Sequence, residues 1–175
     1  ITCRDWSSDV CSSDLAIRLF TEHNILTERE VRARYEIKLE NYVRKVQIES
    51  RVMGDLAINH IIPIAIRYQN QLIDNVKGLK EVLDNKTYVA LSKNQLDTIR
   101  EISEHIAVIR EQVNKMVDTR KEVNRIENIE ELAIAYQSRI IPFFEEIRYH
   151  ADKLELMVDN ELWPLPKYRE LLFIR

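Results

Sequence analysis

Glycine and proline are scarce in this chain, two and four residues in 175, so the backbone has few places to turn sharply. Glu, Lys, Arg, Ile and Leu dominate instead, which is the composition of long helices. No apolar run approaches the roughly 20 residues that span a bilayer, and the first residues have neither the basic nor the apolar region of a secretory signal. An excess of one charge sign is missing too. The formal net charge of -3 is too small to draw the chain to a phosphate backbone or an anionic membrane. These absences lead us to expect a cytoplasmic protein with neither nucleic acid nor membrane as a partner. What remains, 45% hydrophobic residues in 175, suffices for one domain with its own core.

Cysteine is confined to Cys3 and Cys11. Their C-x7-C spacing fits no zinc or thioredoxin pattern. Both lie in a start that opens on Ile1 and repeats Ser7-Ser8-Asp9-Val10 as Ser12-Ser13-Asp14-Leu15, unlike anything later. The string from Cys3 to Leu15 resembles a translated sequencing adapter, so residues 1–14 are set aside as an artefact expected to be disordered, and residues 15–175 are taken as the domain. Without residues 1–14 the net charge becomes -1 and no cysteine remains. The absence of cysteine suits a reducing compartment.

The pattern along the rest predicts an all-α fold: three long antiparallel helices in an up-down-up bundle with coiled-coil-like packing. Thr27-x-x-Glu30, Ser92-x-x-Gln95 and Asn128-x-x-Glu131 each place an N-cap acceptor three residues before Glu or Gln, and predict three helix starts. The second helix is expected from about 93 to 124. Its seam is Ile99, Ile102, Ile106, Ile109, Val113 and Met116, at spacings alternating between three and four. The third, from about 129 to 160, repeats the pattern through Leu132, Tyr136, Ile140, Phe143, Ile147, Leu154 and Val158. An arm over 161–175 follows, whose Trp163, Leu165, Leu171 and Phe173 predict a segment folded back onto protein rather than a docking peptide.

The first helix, from about 28 to 83, is overlong, at about 85 Å against about 50 Å for each of the others. Its first half is expected to project, with the stripe Tyr35, Leu39, Tyr42 and Val46 packing on something outside the chain. Two prolines in matching contexts, Ile61-Ile62-Pro63 and Ile140-Ile141-Pro142, each remove one backbone hydrogen bond and predict bends at a similar level.

Candidate chemistry is sparse. A di-metal carboxylate bundle needs Glu-x-x-His pairs, yet Phe20, Ala57, Ile102 and Ile147 stand three residues before His23, His60, His105 and His150. Glu101 with His105 and Glu146 with His150 are i,i+4 pairs, each at most half of a site and more simply a surface pair. Gly54 and Gly78 stand alone in helical patterns and make no phosphate loop. No serine has an acid–base partner in a recognisable motif. The clusters Arg29-Glu30-Val31-Arg32 and Arg120-Lys121-Glu122 mix signs as solvated helix faces do. The expected catalytic, cofactor-binding and metal-binding residues of this chain are therefore none.

Four strings carry a resemblance. They are Arg34-Tyr35-Glu36-Ile37-Lys38-Leu39-Glu40-Asn41-Tyr42, Gln47-Ile48-Glu49-Ser50-Arg51-Val52-Met53-Gly54-Asp55-Leu56-Ala57, Asn59-His60-Ile61-Ile62-Pro63 and Leu162-Trp163-Pro164-Leu165-Pro166-Lys167-Tyr168-Arg169-Glu170-Leu171-Leu172-Phe173. In this order they resemble the C-terminal region of type III glutamine synthetase, the large bacterial glutamate–ammonia ligase, over essentially all of residues 16–175. The resemblance implies a parent enzyme that condenses glutamate with ammonia through a γ-glutamyl phosphate, using ATP and Mg²⁺ in a β-rich catalytic core that is missing here. It also implies a truncated product without activity of its own, whose partners are that core and neighbouring subunits of a homo-oligomer. The other reading of the residues is a free-standing helical scaffold that binds a partner helix along its seam.

Overall fold

The computed structural model describes residues 14–167 together with 170 and 172. All regular structure among them is helical: α1 (Asp14–Glu22), α2 (Glu28–Leu56), a π-helical segment (Ala57–Ile61), α3 (Ile62–Val82), α4 (Asn85–Val123), α5 (Ile129–Ala135), a second π-helical segment (Tyr136–Ile140) and α6 (Ile141–Met157). The segments join into three rods, 28–82, 85–123 and 129–157. The expected disorder of residues 1–14 falls, except for Asp14, outside the described residues.

Side chains set the helix starts. The Thr27 hydroxyl accepts from the Glu30 amide at 3.3 Å while the Glu30 carboxylate accepts from the Thr27 amide at 2.8 Å, a reciprocal cap that satisfies two orphan donors. Asn128 accepts from the amides of Glu130 and Glu131. The expected start at Ser92 is overturned: α4 begins at Asn85, capped by Asp84, which accepts from the amides of Lys86 and Thr87. Ser92 lies inside α4, 1% exposed. Nothing between Asp84 and Ser92 breaks a helix once Asp84 caps it. The apolar periodicity hid this, because Val89 and Leu91 face solvent, 64% and 58% exposed. One helix was not foreseen: α1, which reaches α2 through Asn24 in the left-handed region at φ 51, a conformation that asparagine tolerates.

Each internal proline opens an α-helix directly after a π segment. Pro63 and Pro142 have no N–H to donate, and their rings crowd the carbonyls four residues back. The residue before each proline bonds one residue further, Ile62 to the Ala57 carbonyl and Ile141 to the Tyr136 carbonyl. This wider turn accommodates the ring without ending the rod.

Partners between neighbouring rods run in opposite sequence order. Gln47 bonds Asn124, Ser50 bonds Arg120 and Gln69 bonds Ile99 between the first and second. Asn124 bonds Tyr136, Glu122 bonds Arg139 and His105 meets His150 between the second and third. The seam residues Ile102, Ile109, Val113 and Met116 are buried in one core with Ile61, Ile62, Ala65, Ile140, Ile147 and Leu154. Gly54 faces α4, where a Cβ would meet Val113 Cγ1 at 3.6 Å, an ordinary van der Waals contact. Beyond α6, Trp163 is buried and Leu165 packs on the same core.

The expected unpartnered stripe on the first helix is also overturned. Leu39, Val43 and Val46 are 2%, 5% and 3% exposed and join the same core, as do Val123, Ala133 and Tyr136 from the corner between the second and third rods. The length mismatch was overestimated because α4 has 39 residues, about 58 Å at 1.5 Å per residue. In addition, α5 and α1 both lie against α2.

Candidate functional site

Three arrangements outside the plain apolar core have chemical character. The first is a polar joint where all three rods meet. Ser50, 1% exposed, donates to the Gln47 carbonyl at 2.8 Å and accepts from the Arg120 guanidinium at 3.1 Å. The Asn124 side-chain oxygen accepts from Gln47 at 3.1 Å and from the Tyr136 hydroxyl at 2.5 Å. Arg139 and Glu122 close the outer side at 2.8 Å. Every group has a partner, so the joint fixes register between rods rather than presenting a reactive atom.

The second unites the two half-sites of the sequence. Glu101–His105 on α4 and Glu146–His150 on α6 face each other, with the histidine Nδ1 atoms 2.7 Å apart and the ring centroids 5.0 Å apart. Both imidazoles are largely buried, 13% and 15% exposed. The carboxylates stand at the outward nitrogens, Glu101 at 3.9 Å from His105 Nε2 and Glu146 at 3.4 Å from His150 Nε2. Burial holds the His105 pKa below its ordinary value, with the charge on His150 adding to the effect and Glu101 and Glu104 opposing it. A separation of 45 residues left no local signal that these pairs meet. Among the described residues no group of three or more His, Cys, Asp or Glu is arranged to hold a metal. His23 and His60 are exposed and lie elsewhere.

The third is an apolar groove of about 410 Å³ between α2 and α6, lined by Ile48, Val52, Leu56, Phe144, Ile147 and Leu165 with Glu49 and Arg148 also at its wall. Ile48 and Val52 are 56% and 50% exposed, on the helix whose neighbouring face, with Leu39, Val43 and Val46, is closed. Sequence periodicity finds one apolar stripe on α2, and this second one, offset around the helix, was passed over.

No helix among the described residues is long and apolar enough to cross a membrane. Residues 7–80 match the family model described as the glutamine synthetase C-terminal domain, so the match opens inside the string set aside above. A glutamine synthetase of Bacteroides fragilis (strain YCH46) is 48% identical over 151 residues, covering 86% of this chain and 21% of the relative. A type-3 glutamine synthetase of Dictyostelium discoideum is 28% identical over 94% of this chain and 22% of its own length. A glutamine synthetase of Butyrivibrio fibrisolvens is 28% identical over 92% of this chain and 22% of its own length. The chain thus spans about a fifth of the curated relatives it matches. The chain belongs to the glutamine synthetase family and carries its C-terminal domain.

Proposed function

We propose that this chain is the structural and assembly domain at the C-terminal end of a type III glutamine synthetase, the ATP-dependent ligase that makes glutamine from glutamate and ammonia. In this reading the three rods form an up-down-up bundle. Catalysis, with its ATP and Mg²⁺, belongs to the remaining four-fifths of the enzyme, and the bundle contributes no catalytic group. The observation that carries the reading is the open groove. Ile48 and Val52 stay half exposed beside a nearly all-apolar cleft, in a chain that covers about a fifth of its relatives. Apolar surface of this kind marks a contact to be covered, and the preceding part of the ligase subunit is the occupant proposed. The buried stripe from Leu39 to Val46 does not serve this role. A free scaffold that binds a helix along the α4 seam is disfavoured, because Ile102, Ile109, Val113 and Met116 are already buried by this chain.

The test pairs the isolated chain with the full-length enzyme. Ile48→Asp and Val52→Asp, at half-exposed positions, should move the isolated chain's stability by no more than about 0.5 kcal/mol while weakening assembly of the full-length enzyme on a sizing column. Normal assembly of both variants would refute the docking role. The isolated chain, given ATP, Mg²⁺, glutamate and ammonia, should form no glutamine, and measurable turnover would refute the assignment of catalysis elsewhere.

A further inference from the structure

The His105–His150 pair has no part in that reading. Two ring nitrogens 2.7 Å apart require one hydrogen between them, so one ring donates from Nδ1 and the other accepts there. The outward nitrogens settle which. His150 Nε2 faces the Glu146 carboxylate at 3.4 Å, a setting for an N–H. His105 Nε2 is buried without a hydrogen-bond partner and stands 3.9 Å from Glu101. A bare ring nitrogen is tolerated there better than an orphaned N–H, because buried unpaired donors are the rarer and costlier fault. The hydrogens therefore sit on His105 Nδ1 and His150 Nε2, and His150 Nδ1 is the acceptor.

This arrangement gives successive protons unequal consequences. A first added proton still leaves one hydrogen between the two Nδ1 atoms, whichever ring carries the charge, so the bond between the rings stays intact. A second has only the remaining Nδ1 lone pair, which is the acceptor of that bond. Taking it breaks the bond and leaves two imidazolium rings, tilted at 56° with centroids 5.0 Å apart, in a largely buried seam. The geometry points to a proton-operated latch between α4 and α6, closed while the pair holds at most one added proton and released when it holds two.

The surroundings set the sign. Glu101 and Glu104 on α4 and Glu146 on α6 favour protonation, while Lys153 on α6 opposes it. Tyr149 meets His150 edge-on at 5.2 Å and has the Lys153 ammonium over its own ring. From α3, the side chain bonded to this part of α4 is the uncharged Gln69, which donates to the Ile99 carbonyl and the Ser103 hydroxyl. Burial keeps His105 below its ordinary value of 6.5. A histidine with a depressed pKa adds stability at pH values above its unfolded value, and that stability is lost as the pH falls toward the depressed one. Acid supplies the second proton, which removes the acceptor between the rings, and so acid opens the latch.

Nitrogen-15 NMR of the imidazoles in the full 175-residue chain, titrated from about pH 8 to pH 5 around the ordinary histidine value, tests this directly. The expected result is an Nδ1–H tautomer at His105, an Nε2–H tautomer at His150 and two coupled steps separated by about one pH unit or more, tenfold in proton affinity. In His150→Gln the remaining ring should titrate in a single shifted step. Nε2–H tautomers on both rings would overturn the latch. So would independent titrations whose midpoints are the same in the wild type and in His150→Gln. Should that variant fail to fold, the wild-type tautomers and the spacing of its two steps decide alone.

Discussion

Replacing Ser92 by Ala separates two opposite expectations for one side chain. If Ser92 capped a helix, the substitution would remove an acceptor from an orphan amide and cost about 1 kcal/mol. In the structure it lies inside α4, 1% exposed, and its buried hydroxyl has no hydrogen-bond partner. Removing an unsatisfied buried hydroxyl relieves a desolvation penalty of about 1–3 kcal/mol, and alanine adds about 0.5 kcal/mol of helix propensity. The small void left by one oxygen offsets part of this, on the order of 1 kcal/mol. The net expectation is a gain of about 1 kcal/mol, or about 2–4 °C in Tm for a chain of this size. Urea unfolding followed by helical circular dichroism, with unchanged slope, reads the difference. Asn128→Ala, which removes an observed cap, is the internal control and should lose about 1 kcal/mol. A Ser92→Ala variant destabilised as much as the control would refute the reasoning and restore a helix start at residue 93.

Three further outcomes follow from the same structure. Leu39→Ala, at a position 2% exposed, should cost about 2–5 kcal/mol in the same urea assay, whereas Ile37→Ala, at 55% exposure on the same helix, should cost less than about 0.5 kcal/mol; equal small losses would return the stripe to solvent. Tyr136→Phe should destabilise by about 0.5–1.5 kcal/mol, because it removes the hydroxyl's bond to the exposed Asn124 oxygen, which keeps Gln47 as a donor, and a neutral result would show the joint to be dispensable. Acid should act through the caps. Hydrogen bonds from Thr27 hold Glu30 below its ordinary value, and those from Thr87 and Lys86 do the same for Asp84. Their contribution, complete above about pH 4.5, is lost as the pH falls through the depressed values. Asp84→Asn keeps an acceptor without a titrating group, so its Tm should fall less than the wild type's below about pH 4; parallel curves would refute this.

Much of the helical content was legible locally. Thr27 and Asn128 announce their helices because a capping side chain acts on amides two or three residues away, and such signals lie within a few letters of sequence. The alternating four-and-three spacing of Ile102, Ile106, Ile109, Val113 and Met116 likewise identified a core-facing seam without reference to a partner. Asp84 was passed over because the residues after it, Val89 and Leu91, are apolar yet exposed, so the periodicity that marks a buried face starts later than the helix does. The candidate site was less legible. The two Glu-x-x-x-His pairs are plain in the sequence, but nothing in either announces the other.

The sequence by itself determined the all-helical class, two of the three caps, the proline positions and, through strings matched in order, the family. These depend on propensity, caps and side-chain periodicity, which act over one or two turns. Only the tertiary structure decided what covers what. Leu39 is closed off in the core that also holds Val123 and Tyr136, while Ile48 and Val52, further along the same helix, remain open. His105 finds His150 across the seam. Contacts between residues 45 to roughly 90 positions apart depend on rod lengths and on where each chain reversal falls. A shift of eight residues in one helix start, from 93 to 85, was enough to change which stripe faces water.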